Sequence, residues 1–122
     1  MQTAGAQSRA DRRGTPDRRS EHVCPDFHAA IELVGRRWAG AILWTLSERS
    51  GYFAELGASV PGISDRLLSR RLRELEAAGL VVRSVEEGNP PRVLYSLTDK
   101  GRALQPALAA LGDWARSWKL SS

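Results

Sequence analysis

The chain has 122 residues, of which 18 are basic and 14 acidic, so its formal charge is +4, and 42% of its residues are hydrophobic. A chain of this length forms one domain, which excludes barrel enzymes and catalysts built from two domains. No apolar run approaches the ~18 residues of a membrane span, and the arginine-rich start lacks an apolar signal core, so we expect a cytoplasmic protein with no membrane partner. All but two of the basic residues are arginines, which bind phosphates and guanine edges in a bidentate fork, and this favours a nucleic acid as partner.

Residues 1–22 differ in composition from the rest of the chain. They contain five arginines and three acidic residues, and Met1 is their only large apolar residue. Such a segment buries too little apolar surface to offset its chain entropy, so we expect a disordered basic arm ahead of a domain over residues 23–122. The arm either contacts the DNA backbone or minor groove, or is a solvated leader without a role.

The first predicted helix follows this arm. Apolar residues recur every three or four positions from Phe27 to Glu48, which predicts one helix over that range. Pro25 suits its first turn, and Ser50-Gly51 ends it. Because apolar residues cover most of its surface, we expect this helix to be buried in its own domain and also against a partner.

A second helix is predicted over residues 64–78, after a short helical segment at 53–57 and a break at Pro61-Gly62. Ser64 is a suitable N-cap, and Gly79 is a suitable residue to end the helix. Leucines form its buried stripe. The opposite face carries polar and basic side chains, which are Arg66, Ser69, Arg70 and Arg73, with Arg71 at the boundary.

The last third of the chain predicts a hairpin and a final helix. Two β-rich runs, 80–86 and 92–98, are joined by a turn with two prolines, which predicts a β-hairpin with a projecting tip. Thr98 can cap a helix that extends to about Leu120, whose apolar residues form a heptad seam typical of helices that pack on one another. Pro106 is expected to kink this helix or to begin a new segment.

The order of these elements predicts a mainly α fold with a small β-hairpin, that is, a winged helix-turn-helix. A helix fits the ~12 Å major groove of DNA, so the helix at 64–78 can place its N-terminal residues against the base edges, while the hairpin tip reaches an adjacent groove. The alternative is a winged helix that binds only protein, which is expected to lack surface arginines on this helix. The predicted DNA contacts are Ser64, Arg66, Ser69, Arg70, Arg71, Arg73, Asn89 and Arg92.

These residues resemble the HxlR-type winged-helix transcriptional regulators of bacteria. The similarity covers about residues 23–118 in uninterrupted order. The matching segments are Cys24-Pro25, IELVGRRW (31–38), Ile42-Leu43, YFAEL (52–56), PGISDRLLSRRLRELEAAGLVVR (61–83) and PPRVLYSLTDKG (90–101), followed by Leu104, Pro106 and Trp114.

The resemblance implies a homodimer in which the first and last helices dimerise across a twofold axis. It also implies that two recognition helices read the half-sites of an inverted repeat in double-stranded DNA. The sequence does not distinguish repression from activation, and we expect a repressor that is released by an effector. By position, the groove-reading residues are Arg66, Ser69, Arg70 and Arg73, and Arg92 becomes the wing contact. Glu86 and Glu87 do not fit a DNA-binding wing as well, because they place two negative charges near the expected path of the DNA phosphates.

Two features are candidates for an effector site. Cys24 precedes a predicted helix N-terminus, where the dipole favours a thiolate, and it aligns with a redox-sensing cysteine of some family members. It either senses oxidants or electrophiles, or fills an interface as a small residue. The second candidate is an aromatic-walled pocket for a small ligand at the dimer interface, with plain packing as the alternative. Its residues are Trp38, Trp44, Leu111, Trp114 and Trp118.

No catalytic constellation emerges from the sequence, since it has no phosphate loop, no paired carboxylates and no Ser–His or Cys–His arrangement. A zinc site made from His22, Cys24 and His28 would lack the usual fourth ligand. The single cysteine excludes an intramolecular disulfide framework. We therefore expect a protein that is not an enzyme and has neither a metal nor a cofactor.

Overall fold

The computed structural model describes residues 24–121, and the arm predicted at residues 1–22 lies outside the described residues. The chain divides into two compact units, the first ending at Val34 and the second beginning at Gly35. No helix within residues 24–121 is long and apolar enough to cross a membrane. The elements are α1 (Pro25–Val34), α2 (Ala39–Glu48), β1 (Gly51–Tyr52), α3 (Phe53–Ser59), α4 (Asp65–Ala77), β2 (Val81–Glu86), β3 (Arg92–Leu97), α5 (Asp99–Ala103) and α6 (Gln105–Ser117).

The prediction of a single helix from Phe27 to Glu48 is wrong, because the chain forms two helices there, α1 and α2. Trp38, just before α2, has a left-handed backbone with a φ of 77°, which a continuous α-helix does not contain. A Cβ placed on Gly62 would lie 3.4 Å from the Trp38 ring, so the ring packs against this glycine. The break therefore follows from the contact of Trp38 with a distant turn, which the apolar periodicity does not record.

The burial expected for the whole predicted helix is found only in its second half. In α2, Ile42, Leu43 and Leu46 are buried. By contrast, α1 has no buried residue, and its Phe27 and Ile31 side chains are 60% and 50% exposed.

The core of the second unit lies between α2, α3, α4 and the sheet. Leucines on one face of α4 enter it at helical spacing, and each fully buried leucine side chain contributes ~1.5–3 kcal/mol of transfer free energy. The buried hydrophobic residues are Ala39, Ile42, Leu43, Leu46, Leu56, Val60, Leu68, Leu72, Leu75, Leu80, Val81 and Leu97.

The sheet contains the predicted hairpin and one further strand. Its order is β1-β3-β2 and all pairs are antiparallel. The hairpin pairs Val81 with Leu97 at its base and Glu86 with Arg92 near its tip. The sequence does not predict β1, because a strand of two residues is too short to give an alternating pattern.

The final helix is divided as Pro106 predicts. α5 ends at Ala103 and α6 begins at Gln105, with the proline in the first turn of α6, where its missing N–H is tolerated. Thr98 caps α5, since its Oγ1 accepts a hydrogen bond from the Gly101 N–H at 3.1 Å. The predicted fold class, mainly helical with a winged helix-turn-helix, is confirmed.

Candidate nucleic-acid interface

The N-terminus of α4 begins where the sequence predicts it. The Ser64 Oγ accepts a hydrogen bond from the Leu67 N–H at 3.1 Å, which satisfies one of the free donors of the first turn. Asp65 follows in the first turn, where its carboxylate interacts favourably with the helix dipole. Ser64 therefore has an observed structural role as the N-cap, beside the DNA contact predicted for it.

The C-terminus of α4 is also closed by specific contacts. Gly79 has a φ of 81°, and its N–H donates to the Glu76 carbonyl oxygen at 2.9 Å. The Lys100 ammonium donates to the Ala78 carbonyl oxygen at 2.8 Å, which adds a positive charge at the negative end of the helix dipole. Both ends of α4 are thus fixed by capping groups.

One face of α4 presents a group of exposed basic side chains. Arg66, Arg70 and Arg73 are exposed and lie on the same side of the helix, as their spacing of four and three residues requires. The Arg73 Nη1 donates to the Ser69 Oγ at 2.7 Å, so Ser69 orients one guanidinium of the group. Within residues 24–121, no carboxylate forms an ion pair with Arg66, Arg70 or Arg73. We call these three arginines the α4 arginine face.

Arg71 lies apart from this face. Its side chain is only 14% exposed, its Nε donates to the Arg37 carbonyl oxygen at 2.9 Å, and its Nη1 is 3.1 Å from Glu74. The second carboxylate oxygen of Glu74 lies 3.2 Å from Arg36. Arg71 therefore attaches α4 to the segment that precedes α2. Because its Nε and Nη1 are bonded inside the protein and its side chain is mostly buried, the proposed DNA contacts omit Arg71.

The wing is the hairpin formed by β2 and β3. Asn89 lies at its exposed tip, and Arg92 lies at the start of β3. The Arg92 guanidinium carbon lies 3.5 Å from the centroid of the Tyr52 ring, and the Tyr52 hydroxyl donates to the Glu86 carboxylate. This hydrogen bond raises the pKa of Tyr52, because the carboxylate favours the protonated phenol. The sequence pattern gives no sign of this arrangement, since the two partners of Tyr52 lie on other strands of the sheet.

In the first unit, Cys24 is exposed and directly precedes α1. The backbone N–H groups of Phe27 and Asp26 hydrogen-bond to the thiol and lower the pKa of Cys24. This agrees with the predicted effect of a helix N-terminus on a thiolate.

The predicted aromatic set is only partly brought together. A cavity of about 440 Å³ lies between α2 and α6 and includes Trp44 and Leu111 in its lining. Trp38 lies elsewhere, against Gly62, and Trp114 and Trp118 are exposed and do not line the cavity. Within the described part of the chain, no group of three or more His, Cys, Asp or Glu side chains is arranged to hold a metal ion.

The chain matches known proteins in sequence and in fold. The family model described as HxlR-like helix-turn-helix matches residues 33–122. The chain belongs to the HxlR-like helix-turn-helix family. This HxlR-like protein is 44% identical over 96 residues to the HTH-type transcriptional regulator YvaP of Bacillus subtilis, a match that covers 79% of this chain and 89% of YvaP. It is 39% identical over 93 residues to the HTH-type transcriptional regulator YodB of the same organism, covering 76% of this chain and 83% of YodB.

Solved structures agree with the family assignment. The reduced form of YodB superimposes with a TM-score of 0.70 at 38% identity, covering 77% of this chain and 92% of YodB. The redox regulator HypR in its oxidised form gives a TM-score of 0.72 at 36% identity, covering 77% of this chain and 96% of HypR. The HxlR-like chain is thus a DNA-binding transcriptional regulator with a winged-helix fold, and its family is one of regulators, not of enzymes.

Proposed function

We propose that this protein is a homodimeric repressor that binds an inverted repeat in double-stranded DNA and is released by an effector. In this proposal α4 is the recognition helix, and Arg66, Ser69, Arg70 and Arg73 read base edges in the major groove. The observation that carries the proposal is the α4 arginine face, which is exposed and has no acidic partner within residues 24–121. Arginine in this setting can donate two hydrogen bonds to O6 and N7 of guanine.

The proposed wing contacts are Asn89 and Arg92. Both are exposed on the hairpin, and a hairpin beside a recognition helix can reach the phosphates of the adjacent groove. Ser64 also stays a proposed contact at the start of α4, because its hydroxyl still has a donor hydrogen after it accepts the Leu67 N–H. Binding to the chromosome would take place in the cytoplasm of the bacterium.

The proposed homodimer is supported by apolar side chains left exposed on α1 and α6. Leu111 and Trp114 share one face of α6, and Trp118, which follows it, is 71% exposed. On α1, Phe27 and Ile31 are exposed in the same way. Exposed groups of large apolar residues mark interaction surfaces, so we propose that these two helices form the dimer interface.

The proposed effector acts at one of two places. Cys24 is exposed and has a lowered pKa, which favours reaction of its thiolate with an oxidant or electrophile. The relatives support this candidate, since YodB has been solved in diamide-treated and quinone-bound forms and HypR is a redox regulator. The second place is the cavity between α2 and α6, where a small aromatic ligand would lie against Trp44 and Leu111.

The test is a fluorescence anisotropy titration with labelled duplex DNA from the region upstream of the protein's own gene. Wild-type affinity is expected to fall ~10³–10⁵-fold between 50 and 200 mM salt, as for ~6–10 phosphate contacts. Arg70→Ala is expected to lose ~1–3 kcal/mol on this DNA, with a smaller loss on random DNA. Arg102→Ala on α5 removes the same charge away from α4; it is the control and is expected to bind like wild type. Because Arg102 also donates to the Leu97 carbonyl oxygen at 3.0 Å and pairs with Asp99, urea unfolding verifies that this variant is folded during the titration.

A flat salt response would contradict the proposal and support a winged helix that binds only protein. Equal losses of affinity for Arg70→Ala and Arg102→Ala would show that net charge, and not the α4 arginine face, determines binding.

A further inference from the structure

Three side chains meet near the tip of the hairpin formed by β2 and β3. They are Arg92, which is a proposed DNA contact, and Tyr52 and Glu86, which have no part in the proposed function. Glu86 on β2 and Arg92 on β3 are directly opposite each other in the strand register. Tyr52 lies on the neighbouring strand, paired with Leu94 of β3. The Arg92 guanidinium stacks on the face of the Tyr52 ring, and the Tyr52 hydroxyl donates to the Glu86 carboxylate. One tyrosine therefore holds an arginine and a glutamate through two different parts of its side chain.

The two contacts keep opposite charges apart. Side chains at directly opposed positions of an antiparallel pair have Cβ atoms only ~4.5–5.5 Å apart, so Glu86 and Arg92 would be expected to form an ion pair. Within residues 24–121 they do not form one, because Arg92 lies on the tyrosine ring and Glu86 accepts from its hydroxyl. A guanidinium stacked on an aromatic face keeps its N–H donors in its own plane, where they stay free for another acceptor.

We propose that Tyr52 is a positioning residue for DNA binding, which separates Glu86 from Arg92 so that the Arg92 guanidinium is available to a DNA phosphate. The inference rests on the proposed function, since it assumes that the wing approaches DNA. It explains how a wing that carries Glu86 and Glu87 can still offer a cation to the duplex. It also gives Tyr52 a role in recognition without any direct contact to a base.

The experiment measures DNA affinity for Tyr52→Phe, Glu86→Gln and the double variant, in the anisotropy assay described above. Tyr52→Phe keeps the ring and releases Glu86, which then pairs with Arg92. We expect about fivefold weaker binding and a salt dependence reduced by about one phosphate contact. Glu86→Gln is expected to change the wild-type affinity less than about twofold and to raise the affinity of Tyr52→Phe about fivefold.

Two control variants separate this role from general effects of charge and folding. Glu87→Gln removes the neighbouring negative charge and is expected to change the affinity by the same factor in the wild-type and Tyr52→Phe backgrounds. Tyr95→Phe removes a phenol from β3 and is expected to leave affinity unchanged. Urea denaturation of each variant verifies that it is folded during the titration.

The outcomes distinguish this inference from the proposed function. If wild type binds DNA and Tyr52→Phe binds equally well, the inference is wrong and the proposed function stands. The inference is also wrong if Glu86→Gln raises affinity by the same factor in both backgrounds, because the two side chains are then not coupled. If wild type itself shows no salt-dependent DNA binding, the proposed function fails, and the inference fails with it.

Discussion

Replacing Arg71 with alanine is expected to destabilise the protein, whereas replacing its neighbour Arg70 is expected to weaken DNA binding and leave stability unchanged. The two residues are adjacent on α4, and the structure gives them different surroundings. Arg71 is mostly buried and bonded to the Arg37 carbonyl and to Glu74, while Arg70 is exposed with no acidic partner in the described part of the chain.

The expected loss in the free energy of unfolding follows from the contacts that each substitution removes. Arg71→Ala removes hydrogen bonds of 2.9 and 3.1 Å made by a charged donor, and Glu74 keeps its contact to Arg36 at 3.2 Å. Hydrogen bonds of charged groups contribute ~1.5–3 kcal/mol, and release of arginine side-chain entropy offsets part of this, so we expect a loss of about 2 kcal/mol. For a domain of this size the Tm falls by roughly 8 to 16 °C. Arg70→Ala is expected to change stability by less than ~0.5 kcal/mol.

The assay is urea unfolding followed by tryptophan fluorescence, with all proteins at the same concentration because the proposed dimerisation would make stability depend on concentration. DNA affinity is then measured well below the Tm of each variant, so that both are folded. Equal destabilisation by the two substitutions would refute the structural distinction between them. Weaker DNA binding by Arg71→Ala with unchanged stability would show that Arg71 contacts DNA, as its position on α4 predicts.

Further predictions concern the fold, the thiol and the dimer. Gly101→Ala is expected to lower stability by ~1–3 kcal/mol in thermal unfolding, because its Cβ would lie 2.3 Å from the Leu80 carbonyl oxygen. Gly112→Ala, whose Cβ would meet only the far end of the Arg116 side chain at 3.5 Å, is the control and is expected to be neutral or stabilising. The alkylation rate of Cys24 is expected to reach half its plateau at a lower pH in the folded protein than in urea, because a lowered pKa increases the thiolate fraction. Equal midpoint pH values for the folded protein and the protein in urea would contradict a lowered pKa of Cys24. Trp118→Ser is expected to give monomers in light scattering, and a dimer that persists at low micromolar concentration would count against the proposed interface.

Features with local causes could be predicted from the sequence. Ser64 and Gly79 mark the ends of α4 because capping and left-handed geometry depend on residues within one turn of the helix. Pro106 divides the last helix for a similar reason, since the effect of proline is confined to its own turn and the preceding one. The basic face of α4 follows directly from residue spacing.

Features that depend on distant contacts could not be predicted in this way. The break before α2 depends on Trp38 packing against Gly62, and the role of Arg71 depends on a carbonyl 34 residues away in the sequence. β1 exists only because β3 offers it a pairing edge. Tyr52 is a further example, since its two contacts become visible only when the register of the strands is known. In each case the apolar pattern is compatible with more than one arrangement, and packing selects one of them.

The most direct test of the central claim is a dimethyl sulfate footprint on the upstream DNA. The reagent methylates guanine N7, which lies in the major groove and is the acceptor proposed for the α4 arginines. Two protected groups of guanines are expected, related by a twofold axis and separated by ~10 base pairs or a whole number of helical turns. Arg70→Ala is expected to lose the protection of one guanine in each half-site. Binding that leaves every guanine N7 reactive, or a protection pattern unchanged by Arg70→Ala, would contradict the assignment of α4 as the recognition helix.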